Sequence, residues 1–417
     1  MFLAIAITAA VASLFVAAET PSLEKLLYSE SAAEDYFGFG VAIDGDTAIV
    51  GAYKTDVEGV KDSGAAYVFT NKQGVWELQG VLAANDGKID DTFGGFVAIK
   101  GDTAVVGAIR SDDEGSDSGA AYVFNRSETE WAFEQKIVAP DARKSESAQF
   151  GQTIALLDDM LIIGAPRDDQ KGTDTGAVYV YIKKKSGWQF HEKLTASDAT
   201  AGDLFGISLA VDGETLIVGA DLNDESAENG GAAYVFYWRD NRWKQSDKLV
   251  ANDAGETDLF GVRVAISGNT ALISARRDDD PITGVDSGSV YVFEITTDGW
   301  QQRAKLTAPD AAADDRFGRA VALHKDTAII TAMHDDDKGE NSGSAYVFKR
   351  LGDKWVFDSK ILPEDGVKDD RFGWSVAISN NTAIFGTPDY SREKAHSGAA
   401  YVLTLPQLKL ILRDLKL

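Results

Sequence analysis

Carboxylates recur along this chain with a regular beat, and carboxylate oxygens are the ligands that a hard cation such as Ca²⁺ takes. One series reads Asp56, Asp112, Asp169, Asp224, Asp279 and Asp336, with Ser391 in the seventh place. A second reads Asp86, Asp141, Asp198, Asp253, Asp310 and Asp365, opened by Glu30. A third stands two residues before a Phe: Asp35, Asp91, Asp203, Asp258, Asp315 and Asp370, with Ala148 as the exception. The first series has acidic neighbours, which makes Asp112, Asp113, Asp168, Asp169, Asp278, Asp279, Asp280, Asp335, Asp336 and Asp337 the candidate metal ligands. Adjacent carboxylates repel, so a divalent cation or water must screen them. Ca²⁺ at some of these loops is one expectation, and solvated acidic loops are the other. For the Asp before Phe, acceptance of backbone N–H groups in a turn is the stronger reading.

Catalytic chemistry finds less support. The four histidines, His191, His324, His334 and His396, are scattered, and His334 beside Asp335 is the one acid/base pair, read as an exposed loop histidine. No nucleophile elbow, zinc motif or phosphate loop occurs, so an enzyme is not expected. The formal charge of −25 disfavours nucleic acid and anionic membranes, and favours cations or basic partners. The absence of Cys removes disulfides and thiolate metal sites.

The elements that hold these carboxylates follow from a repeat. Phe-Gly stands at Phe37, Phe93, Phe150, Phe205, Phe260, Phe317 and Phe372, at intervals of 55 to 57 residues. "SGAAYVF" at Ser63 returns at Ser118, Thr175, Gly230, Ser287, Ser342 and Ser397 in close variants. Trp76, Trp131, Trp188, Trp243, Trp300 and Trp355 keep the same beat. Three markers in one order, seven times, define a seven-fold array. Within a unit, "FVAIK", a Gly-Asp turn, "TAVVGA", "AAYVF" and "WAFEQKIVA" read as four antiparallel strands with no helical period. Seven four-stranded units predict an all-β seven-bladed β-propeller. Its second-to-third-strand loops and blade-to-blade loops open on one face, and all three Asp series belong to that face.

The pattern "FG…VAI…TAIVGA…SGAAYVF" resembles the FG-GAP repeat, the blade of the integrin α-subunit propeller, over nearly the whole chain. The resemblance implies extracellular adhesion or ligand binding. The family's calcium loop, Asp-x-Asp-x-Asp-Gly-x-x-Asp between the first and second strands, is missing. Only short turns such as "DGD" at Asp44–Asp46 and "SNN" at Ser379–Asn381 stand there, too short to wrap an ion.

The ends carry further expectations. Residues 1–18 read as a secretory signal peptide, with Val16 and Ala18 before the cleavage point; an uncleaved membrane anchor is the alternative. No other stretch could cross a membrane. "EKLLYSESAAEDYFG" at Glu24–Gly38 copies the end of a unit, so the N-terminus is expected to supply the outer strand of the last blade. The propeller then spans 19–403. The tail 404–417 becomes a fifth strand, a short helix or a dimer contact. Asn125 and Asn380 head glycosylation sequons expected in loops of the opposite face. The basic "SREKAHSG" at Ser391–Gly398 either seals the ring or marks an asymmetric partner site. The functional expectation is a secreted or cell-surface binding module for a protein or glycan, bridged by Ca²⁺ or recognising basic groups. A calcium-responsive self-associating matrix or envelope protein is the alternative, and a propeller hydrolase or lyase the weakest.

Overall fold

The computed structural model describes residues 23–144, 147–392 and 394–405. Among them, 28 strands form seven four-stranded antiparallel sheets. The second blade shows the plan: Phe93–Lys100 innermost, then Thr103–Ala108, Ala120–Ser127 and Glu130–Ile137 outermost. Its second strand, TAVVGA, is almost wholly buried, because a neighbouring blade covers each face. A strand covered on both faces carries a continuous apolar run instead of an alternation. The third and fourth strands run to eight residues each, so much of "NRSETE" is strand and not loop. In six blades the pairing of these two strands shifts register beside the third-strand aromatic, as between Val123 and Phe124. Such bulges increase twist, which an outer strand at large radius needs.

The two strongest sequence markers lock neighbouring blades together. The Phe93 N–H donates to the Ser63 carbonyl (3.0 Å), and the same bond recurs from Phe150 to Ser118 and from Phe317 to Ser287. Each of these Phe side chains is fully buried. Phe93 meets Tyr122 edge-on at 5.4 Å and Phe124 at 6.1 Å. Both glycines are forced. At Gly119 (φ +82°) a Cβ would stand 2.2 Å from the Phe150 carbonyl oxygen; at Gly94 (φ +99°) it would stand 2.2 Å from that of Ala65. Only glycine tolerates this backbone and this approach.

The seventh sheet draws on both ends of the chain. Glu24–Leu26 pairs antiparallel with Ala399–Thr404, matching Glu24 to Val402 and Leu26 to Ala400. The basic loop braces this junction. Arg392 bonds Asp370 and the Asp365 carbonyl, and Lys394 donates to the Ser31 carbonyl (2.5 Å). That arrangement fits the sealing role for "SREKAHSG". Residues 1–18, expected to be a signal peptide, and the tail from residue 406 onward lie outside the described residues. No helix among the described residues is long and apolar enough to cross a membrane.

Candidate functional site

The face formed by the second-to-third-strand loops and the blade-to-blade loops holds every predicted carboxylate. The three series have three different tasks there. The Asp before Phe is buried and braces its own loop: Asp35, Asp91, Asp203, Asp258, Asp315 and Asp370 each accept the N–H of the residue three positions earlier, at 2.6–2.9 Å. Burial pushes Asp258 and Asp315 up to about 6.

A pH prediction follows. Between roughly pH 4 and 6 the native state holds a proton on Asp315 that the unfolded chain has released, so this group's contribution to stability falls as pH rises. Asp315→Asn keeps an acceptor for the Ala312 N–H and does not titrate. From pH 4 to pH 7 the variant should gain about 1–2 kcal/mol on wild type, discounted for solvent near the loop. Urea midpoints of both proteins at the two pH values check this; parallel curves would remove the buried-carboxylate account.

The first series also braces loops. Asp56, Asp112, Asp169, Asp224, Asp279 and Asp336 each accept a backbone N–H across their own loop at 2.7–2.8 Å. In the seventh blade Ser391 Oγ takes this role toward His396 (2.9 Å), so the substitution there keeps the bond and drops the charge.

The remaining carboxylates face a partner that the sequence reading did not name. In blades two to six a lysine of the outermost strand points inward between the two loops. Lys193 lies 3.1 Å from Asp141 and 2.9 Å from Asp168; Lys305 lies 2.7 Å from Asp253 and 2.9 Å from Asp278. Lys136 contacts Asp86 and Asp113, and Lys248 contacts Asp198 and Glu225. Lys25 of the N-terminal strand does the same toward Asp365 in the seventh blade. The third-strand Tyr completes several of these groups, as Tyr179 does within 2.7 Å of both Asp141 and Asp168. A signal was present, since each such lysine precedes Leu or Ile: Lys136-Ile137, Lys193-Leu194, Lys305-Leu306. Blade one carries Val81 at this place.

The acidic triplets therefore do not act as units. Asp278 turns inward to Tyr291 (3.0 Å) and Lys305, Asp279 braces the Asp286 N–H, and Asp280 accepts the N–H groups of Ile282 and Thr283. In the sixth blade Asp310, Asp335 and Asp337 do come together, with ligand oxygens within 4.8 Å of one another. Lys360 sits among them at 2.8, 2.8 and 2.6 Å. Burial works against the Lys360 charge, but its bonds to Asp310, Asp335 and Asp337 outweigh burial and hold it above its ordinary value.

His334 does not pair with Asp335, whose carboxylate bonds Tyr346 and Lys360; its Nδ1 lies 3.4 Å from Asp314 instead. Burial, and Arg316 nearby, hold the imidazole below its usual range. Asn380 stands in a turn between the first and second strands of the seventh blade. Asn125 lies within a strand and not a loop, and its amide donates to Glu134 (2.5 Å).

Seven successive segments match the model of the FG-GAP repeat, at residues 22–69, 76–124, 131–181, 188–236, 243–293, 300–348 and 355–403. The chain belongs to the FG-GAP repeat family. No curated protein matches it. A crystal structure from Bacteroides fragilis, provisionally assigned as a 6-phosphogluconolactonase, is similar at 12% identity with a TM-score of 0.53, over 79% of this chain and 85% of that one. At that identity the likeness concerns the fold alone. The calcium loop found in some FG-GAP blades has no room here. Asp44 ends one strand and Thr47 begins the next, leaving a two-residue turn. In this FG-GAP propeller the carboxylates that do converge already hold an ammonium group. A calcium ion at Asp310, Asp335 and Asp337 would have to displace Lys360.

Proposed function

We propose that this FG-GAP propeller is a secreted or cell-surface binding module, engaging a protein or glycan partner through its acidic loop face. One observation carries the reading: the loops of that face are braced by repeated Asp-to-backbone bonds, and Asp224, Glu225, Asp336 and Glu340 still stand exposed to solvent at their tips, although Glu225 pairs with Lys248 and Glu340 with Lys368. A rigid scaffold presenting charged loop tips binds without a large ordering cost. The inward carboxylates are committed to lysines, tyrosines and backbone groups, which leaves them poorly placed to act on a substrate. A basic partner, or one bridged by a cation, suits the outward remainder.

The test compares two sets of variants for binding of residues 19–417 to cell surfaces and glycan arrays. Glu225→Gln with Glu340→Gln alters the loop face. Asp46→Asn with Glu214→Gln alters exposed residues of the opposite face. Saturable binding that falls at least about tenfold in the first set alone supports the reading. Equal loss in both sets, or loss only in the second, refutes it. A chelator arm shows whether binding depends on calcium, and calcium-driven self-association would favour a matrix protein.

A further inference from the structure

The innermost strands enclose a central cavity of about 230 Å³, lined by an apolar ring including Val41, Val97 and Ile154. Its mouth opens where those strands begin, on the loop face, and has two unlike sides. Blades seven, one and two supply aromatics: Phe39 lies 4.5 Å from Tyr53 and 5.3 Å from Trp374. Blades five and six supply Arg263, Arg276 and Arg319. This is a concentration of positive charge in a chain of formal charge −25.

Arg319 is buried and Arg263 and Arg276 are half-buried, yet among the described residues they lack the partners that such guanidinium groups normally have. Arg319 is 5% exposed, and its Nε has no hydrogen-bond partner among the described residues. Its guanidinium lies 4.0 Å from the centre of the Trp374 ring. Nε of Arg276 is unpartnered as well, and Arg263 donates only to its own neighbour, the Val262 carbonyl (2.7 Å). Among the described residues the carboxylates that act on them are Asp221 and, for Arg276, Asp286. Asp221 Oδ1 also has no partner, and burial pushes this carboxyl up to about 6. Gln152, lining the same cavity, has an unpartnered Oε1. Leaving such groups without bonds is costly, and grouping like charges adds to the cost. The burial and mutual repulsion of Arg319, Arg263 and Arg276 hold the Arg319 guanidinium well below its ordinary range.

We propose that the channel mouth binds a small carboxylate carried on a ring. Guanidinium forks donate two parallel N–H bonds to a carboxylate, and the charge on both sides strengthens those bonds. The aromatic side offers ring surface at Phe39, Phe96 and Trp374. Arg319 already meets Trp374 at 4.0 Å, so a small molecule on the guanidinium lies beside that surface. The exposed carboxylates at the loop tips play no part in this site, so its fate is separate from that of the loop-tip reading.

Calorimetry and thermal melts of residues 19–417 with D-glucuronate, benzoate, D-glucose and inorganic phosphate test the assignment. Glucuronate or benzoate should bind saturably and raise the melting midpoint, with glucose at least about tenfold weaker. Arg319→Gln should weaken ring-carboxylate binding at least tenfold. Arg276→Gln, at a loop position, does the same if Arg319→Gln does not fold. Glu225→Gln with Glu340→Gln should leave it unchanged. Binding of phosphate alone, equal binding of glucose, undiminished binding by Arg276→Gln, or no binding of any probe would overturn the proposal.

Discussion

Lys360→Met is expected to lower the unfolding free energy by about 2–3 kcal/mol, below the ~3–5 kcal/mol of a fully buried broken pair. The physical reason is local. Asp335 is nearly buried, Asp310 and Asp337 remain about half accessible to water, and removal of the ammonium leaves three carboxylates facing one another. Calcium should then recover part of the loss by binding the folded variant, with magnesium recovering less because it demands a tighter octahedral shell. Lys136→Met in the second blade removes a lysine that contacts two carboxylates. It should destabilise with a weaker calcium response. Chemical unfolding with calcium, magnesium, chelator and matched sodium chloride checks both. Equal recovery by sodium chloride would mean simple screening, and an unchanged midpoint would mean that the ion pairs contribute no stability.

The interblade lock should be costlier to break. Phe317→Ala removes a fully buried ring that meets Tyr346 at 5.4 Å and Phe348 at 6.1 Å, while the Phe317 N–H bond to Ser287 remains. The expected loss is about 3–5 kcal/mol, the usual range for deleting a buried aromatic. Gly288→Ala, on the partner marker, places a Cβ 2.2 Å from the Phe317 carbonyl oxygen at φ +82° and should be at least as damaging. Urea midpoints of both variants, followed by tryptophan fluorescence and far-ultraviolet circular dichroism together, test this. A loss below about 1 kcal/mol for Phe317→Ala would show that the blades are held by their strands and not by the markers.

The repeat made the architecture legible because each blade is a local object. Phe-Gly, the Tyr-Val-Phe strand and Trp recur in a fixed order, and four strands within one period can only meander. The outer strand at Glu24–Leu26 was legible for the same reason, since it copies a unit's end. The Asp series were legible as positions on one face. Their tasks were not, because Asp278, Asp279 and Asp280 are consecutive in the chain and point at different partners. The lysine opposite them stands on the outermost strand, roughly half a period away, and nothing in its own neighbourhood announces the pairing.

Arg263, Arg276 and Arg319 were invisible for a further reason. They occupy three different positions within their repeats, so periodicity treats each as an exception. By itself the sequence determined the seven-fold array, the four-strand blade and the face that carries the acidic loops, because those depend on patterns within one period. Tertiary structure alone decided which charges meet. Closing the ring brings irregular residues of separate blades to one channel mouth, and electrostatic interaction depends on distance in space, not along the chain.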